Sequence, residues 1–132
     1  MSEVLLKKPV ELKLPAEQNM MLVLRLTTAG VVARAGLTVD KMDDVKMAVE
    51  EACSFLIASD NARERMSLRF EMEEDMLKIH ICADGNCAGA QPGDEGELDV
   101  VRCILESLVD DVEFRMHEER IGAIELRVKL GM

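Results

Sequence analysis

Apolar and polar positions alternate from Val10 to Leu14 (VELKL), which predicts a half-buried strand closed by Pro15. From Glu17 to Ala35 the pattern changes to helical spacing. Leu22, Leu26, Ala29 and Ala33 are the expected core stripe there, and Gly36 is the C-terminal stop. A second helix is predicted from Val39 to Ala58, opening at Asp40 and meeting neither Gly nor Pro before Asp60. Its core stripe is Met42, Val45, Val49, Ala52, Cys53 and Leu56. Met66 to Met72 and Met76 to Ala83 read as a hairpin around Glu73-Glu74-Asp75. A third helix is expected from Leu98 to Val109, with Val101, Leu105 and Leu108 inward. Val112 to Met116 and Ile121 to Leu130 then form a final hairpin.

The order β-α-α-β-β-α-β-β pairs its strands in hairpins instead of alternating them with single helices. That favours an α+β fold, a two-layer sandwich with a mixed sheet and its helices on one face. The 132 residues suit one domain, 1–132, with a single core. Between Asp84 and Glu97 the chain turns rich in Gly, Pro and acids, the signature of a loop after a strand.

One position on the second helix stands apart from its core stripe. At about 100° per residue, Glu51 falls nearly opposite the stripe's centre, with Met47 and Phe55 one turn to either side. A carboxylate bracketed by Met and Phe suggests a surface that meets a ligand, a lid or a partner. The plainer alternative is a helix Glu with two exposed apolar neighbours.

Composition narrows the classes. With three Phe, no Trp and no Tyr, the chain lacks the stacking platforms of single-stranded nucleic-acid binders. A net charge of -10 opposes contacts with a phosphate backbone, so no nucleic acid is expected as partner. No apolar run approaches ~18 residues and no secretory pattern opens the chain, so no membrane partner is expected and the expected compartment is the cytoplasm. There the four cysteines stay reduced. Ten methionines supply adaptable surface as well as core, and Met20, Met21 and Met47 are the surface candidates.

Three segments carry a resemblance. Leu14-Pro15-Ala16 is followed by Arg25 in the first helix; the central run is Asp44-Val45-Lys46-Met47-Ala48-Val49-Glu50-Glu51-Ala52-Cys53; the last is Leu105 to Glu113 (LESLVDDVE). Over nearly its whole length the chain resembles the anti-sigma-factor serine-protein kinases of bacterial partner switching. These belong to the GHKL superfamily, with its Bergerat-like ATP-binding fold. By that resemblance Glu51 is the general base and Asp84 the residue that meets the adenine. Partners would be a sigma factor or an anti-anti-sigma-type protein, and a homodimer helped by the exposed first strand is a further expectation.

The chain departs from the family where magnesium and phosphate are held. Four residues after the base the family has an Asn that ligates the magnesium bridging the ATP phosphates; here stands Phe55, which offers no oxygen. Ser59 replaces a common His, and Asn86 and Ala88 replace the glycines that follow the adenine Asp. The glycine-rich turn that cradles phosphate is represented by Leu98, Asp99 and Val101, two apolar side chains and a repelling charge. A displaced turn using Gly93 and Gly96 is the alternative alignment. The resemblance therefore implies a regulatory protein-binding module with Glu51 and Asp84 vestigial and no cofactor. Its alternative is an active serine-protein kinase taking ATP and magnesium despite Phe55. Met20, Met21 and Arg25 are the candidate partner-binding residues.

Other chemistry is weaker. Asp84 to Glu95 nearly fits a calcium loop, but Ala88 and Pro92 break it and a strand precedes it. His80, Cys82 and Cys87 lack a fourth zinc ligand, so Cys82 is expected to pack and His80 to lie at the surface, leaving no metal site. His117 reads as a solvated residue near a turn. No nucleophile motif is present.

Overall fold

The computed structural model describes residues 6–59, 63–85, 95–117 and 120–130. Five strands and three helices follow in the order β1 (Val10–Pro15), α1 (Met21–Ala35), α2 (Val39–Ser59), β2 (Arg63–Glu73), β3 (Met76–Gly85), α3 (Glu95–Leu108), β4 (Asp111–His117) and β5 (Arg120–Lys129). A 3-10 turn over Gln18–Met20 leads into α1. Gly36 ends that helix at φ +88 and donates its N–H to the carbonyls of Ala33 and Val32. This is the left-handed stop that a Cβ disfavours.

The strands lie in the order β1-β2-β3-β5-β4. Every neighbour is antiparallel, which corrects the expectation of a mixed sheet. The reason is local. α3 carries the chain across so that β4 runs parallel to β3, but β5 turns back and fills the space between them, so the parallel strands never pair.

Alternate positions of the sheet are buried beneath the helices: Met66, Leu68 and Phe70 on β2, Leu77, Ile79 and Ile81 on β3, Ile124, Leu126 and Val128 on β5. Each such side chain contributes roughly 1.5–3 kcal/mol on leaving water. The central helix α2 packs on β3 and β5 and is flanked by α1 and α3. Of its expected inward stripe, Val45, Val49, Ala52, Cys53 and Leu56 are buried and Met42 is partly buried against the core, with Ala48 added.

The stripe expected for α1 is corrected. The buried residues are Leu24, Thr28, Val31 and Val32, while Leu22 and Leu26 stand 59% and 64% exposed. The helix is apolar on almost every side, so its spacing did not select the inward face; contact with α2 does.

Candidate functional site

The ends of the elements fix where the sequence candidates meet. Lys41, in the first turn of α2, donates from Nζ to the carbonyl of Lys129 at 2.7 Å, and Lys129 N–H donates to the carboxylate of Asp110 at 2.7 Å. The start of α2, the end of α3 and the end of β5 therefore share one end of the molecule. α2 and α3 pack together and so run antiparallel, which brings the last turns of α2 to the start of α3. α1 and α2 form a second antiparallel pair through the short turn at Gly36–Thr38. β3 begins beside Lys129 and finishes at the far end, where Arg65 pairs with Asp84. Phe55, Leu98, Asp99 and the backbone of Asp84 thus lie toward the end opposite Lys129, with Glu51 one turn nearer the middle of α2.

Glu51 is exposed on the outer side of α2 and has no ion-pair partner among the described residues. Its neighbour Glu50 is engaged, accepting a hydrogen bond from Arg25 Nε across the α1–α2 contact. Since Glu50 points to α1, Phe55 lies on the other flank of α2, toward the start of α3. Phe55 is half-buried and packed against the core, as is Leu98. Asp99 is exposed and Val101 buried; the first turn of α3 contains Gly96, but the places aligned with the phosphate turn, Leu98, Asp99 and Val101, each carry a side chain. Met47 is 52% exposed one turn before Glu51.

Of the partner-binding candidates, Met20 and Met21 are half-buried against the core, and Arg25 is exposed and tied to Glu50. The sequence reading missed Leu22 and Leu26 beside Arg25, because it counted them as core. The signal was Arg25 itself, a charge set among apolar residues that a wholly inward stripe would not carry.

Cys53, two residues after Glu51, is fully buried and no nucleophile. Burial, and then the charge of Glu50, raises its thiol far above the ordinary range. The side chains of Ser59, Asp84 and His117 lie outside the described residues, as do all of Asn86 to Asp94, which include Cys87, Gly93 and most of the calcium-like loop; Gly96, the other glycine of the displaced phosphate turn, lies in the first turn of α3. Among the described residues no group of three or more His, Cys, Asp or Glu could hold a metal ion, and no helix is long and apolar enough to cross a membrane.

The sheet's outer face holds a second concentration of charge, across one row of paired residues: Glu11, Arg69, His80, Glu125 and Glu113. His80 sits between two carboxylates, Nε2 at 3.0 Å from Glu71 and Nδ1 at 2.9 Å from Glu125. Glu125 is only 3% exposed; Arg115 donates to it at 3.2 Å and Arg127 pairs with its other oxygen. Arg127 also donates to Asp111 at 2.6 Å and to Glu113 at 2.9 Å. The hydrogen bond to His80, and then Arg69, holds the Glu71 carboxyl below its usual range. Beside this row is an open depression of about 240 Å³ lined by Lys13, Ser67, Arg69, His80 and Cys82. Cys82 is exposed there, which corrects the expectation that it packs, because its strand position faces away from the helices.

No family model matches the chain. Over 80 residues it is 36% identical to the serine-protein kinase RsbW of Bacillus velezensis and, again over 80 residues, 34% identical to that of Bacillus subtilis. Each match covers 58% of this chain and 50% of the relative, so the chain spans about half the length of the curated relatives it matches. A crystal structure of the RsbU and RsbW domains of a Mycobacterium tuberculosis protein superposes with a TM-score of 0.71 at 14% identity, covering 93% of this chain and 32% of that one. That likeness is one of fold, and it agrees with the α+β sandwich described above. Over the matched segment the chain is a homologue of the RsbW serine-protein kinases, and it carries the fold of an RsbW domain.

Proposed function

We propose that the chain is a regulatory protein-binding module of the RsbW type, from which ATP binding and phosphotransfer have been lost. Phe55 carries this reading. At the end of α2 where α3 begins, it sets an apolar ring in the place of a magnesium ligand, and Leu98 and Asp99 follow where phosphate would need open backbone. Without a cation, Glu51 and Asp99 would repel a triphosphate.

Its partners are a sigma factor or an anti-anti-sigma-type protein in the cytoplasm, and a homodimer is a further association. The surface of α1 around Arg25, with Met20 and Met21 at its start and Leu22 and Leu26 exposed beside it, is the docking face. Methionine and arginine are enriched at interface cores, and an apolar stripe on a water-facing helix is what a partner covers. The test is a binding titration against sigma factors and anti-anti-sigma-type proteins of the source cell, with and without ATP. Saturable binding that ATP leaves unchanged, weakened at least tenfold by Arg25→Ala or Leu26→Asp, supports the reading. Binding that requires ATP argues for a kinase.

One observation favours that second reading. Glu51 is exposed and has no ion-pair partner among the described residues, as suits a general base for a serine hydroxyl. An active enzyme would have to hold magnesium through other oxygens.

A further inference from the structure

Building on the reading of the chain as a protein-binding module, we infer that the seam between α2 and α3 docks a basic amphipathic helix of a partner protein. Both walls of the seam are apolar and open to water. Glu50 faces α1, so at about 100° per residue the opposite flank of α2, with Asp44, Ala48 and Phe55, is turned to α3. On α3, Arg102 lies over the ring of Phe114 on β4, 4.5 Å from its centroid, so the flank turned to α2 carries Val100 and Ile104. With the two helices antiparallel, Met47 falls level with Ile104 and Glu51 level with Val100. Met47, Val100 and Ile104 are all exposed, Val100 by 59%. Ala48 is fully buried, so its small side chain adds no ridge to the floor.

Charge selects the occupant. Asp44 and Glu51 border the seam on α2 and Asp99 on α3, none with an ion-pair partner among the described residues. The cations of the same helices are committed elsewhere: Lys46 to Asp43, Lys41 to the Lys129 carbonyl, and Arg102 to Phe114. A second copy of this surface would set acid against acid, and a polyphosphate would meet the same repulsion. A helix with apolar residues at i, i+3, i+4 and i+7 and Lys or Arg along both borders satisfies the seam and its rim together. α1, with Arg25 and Arg34, does not share this acidic character, so the seam is a different surface from the α1 face.

The probe is a capped synthetic peptide of about 18 residues, long enough to form helix on binding, with Leu on one face and Lys and Arg on the other. Two companions are used: a scrambled peptide of the same composition, and one with Glu in place of each Lys and Arg. Each is titrated into the full chain, followed by fluorescence anisotropy and by amide shift mapping. The expected result is a Kd of about 10–100 µM for the basic amphipathic peptide, with shifts along Met47, Glu51, Val100 and Ile104. The scrambled and acidic peptides, and the basic one on Met47→Asp or Ile104→Asp chains, should bind at least tenfold more weakly, whereas Lys13→Ala, on the outer face of the sheet, should leave the peptide's affinity unchanged. Equal binding of the scrambled peptide, shifts confined to the sheet, or no binding up to about 1 mM would overturn the assignment. Shifts centred on α1 and abolished by Leu26→Asp would also overturn it, while leaving the protein-binding reading intact. Shift mapping on the unmutated chain keeps the outcome independent of how any variant folds.

Discussion

Glu50, and not its neighbour Glu51, receives the guanidinium of Arg25 across the α1–α2 contact. One peptide step separates a carboxylate that ties two helices together from one that faces water alone. The pair is 54% exposed at Arg25 and 25% at Glu50, so its contribution to stability is modest. Glu50→Gln is expected to cost less than about 1 kcal/mol in urea unfolding, and Glu51→Gln about zero. If Glu51→Gln destabilised the chain by more than Glu50→Gln, Glu51 would hold a structural contact that its exposure does not reveal.

The outer face of the sheet gives a larger effect. Arg127→Ala removes one partner of the buried Glu125 and leaves that carboxylate with Arg115 and His80. Leaving a buried charge short of partners is costly, and about 2 kcal/mol of destabilisation is expected. Arg69→Ala removes pairs to Glu11 and Glu71, both more open than Glu125, and should cost under about 1 kcal/mol. Equal effects from the two arginines would show that the burial of Glu125 plays no part.

Acid titration examines the same cluster. Glu71 titrates below its ordinary value of 4.5 in the folded chain, first because His80 hydrogen-bonds it and then because of Arg69. Below that ordinary value the unfolded chain binds the proton first, so stability falls as pH drops toward and through the folded value. The contribution is fully present above the ordinary value. Chemical unfolding midpoints should therefore decline between about pH 5 and pH 3, with a shallower decline in His80→Ala. An unchanged slope in that variant would mean His80 does not hold the carboxylate ionised.

Most of the architecture was legible because it rests on local pattern. The α2 stripe, the two hairpins and Gly36 each declare themselves within a few residues, and the segments seen follow them closely. The α1 face was not legible, since Met21 to Ala35 offers apolar residues on every side and buries Thr28, a polar residue whose hydroxyl has no hydrogen-bond partner among the described residues. The antiparallel sheet was missed because the insertion of β5 between β3 and β4 depends on pairing between distant parts of the chain, from Cys82 with Ala123 to Met76 with Lys129. The same non-locality hid the row from Glu11 to Glu113, whose members lie on all five strands. Arg25 and Glu51 were singled out from sequence, but the engagement of Glu50 was not, because adjacent identical residues carry no signal of which one faces a neighbouring helix.

Phe55 separates packing from chemistry. Phe55→Asn supplies the amide oxygen that the RsbW-type resemblance asks for, yet Leu98 and Asp99 remain at the start of α3. The substitution is expected to cost about 2 kcal/mol from lost packing of a half-buried ring, without producing micromolar nucleotide binding. A thermal melt and a nucleotide titration of the same variant give both answers. Tight binding after this single change would show that the phosphate cradle is intact and that only the cation ligand was missing.

Loss of nucleotide binding is tested most directly by calorimetric titration of the unmodified chain with ATP and magnesium. The expected heats match dilution, with any Kd weaker than about 1 mM, corresponding to less than about 4 kcal/mol of binding free energy. A saturable isotherm with a Kd in the micromolar range would contradict it and restore Glu51 as the base of a working kinase.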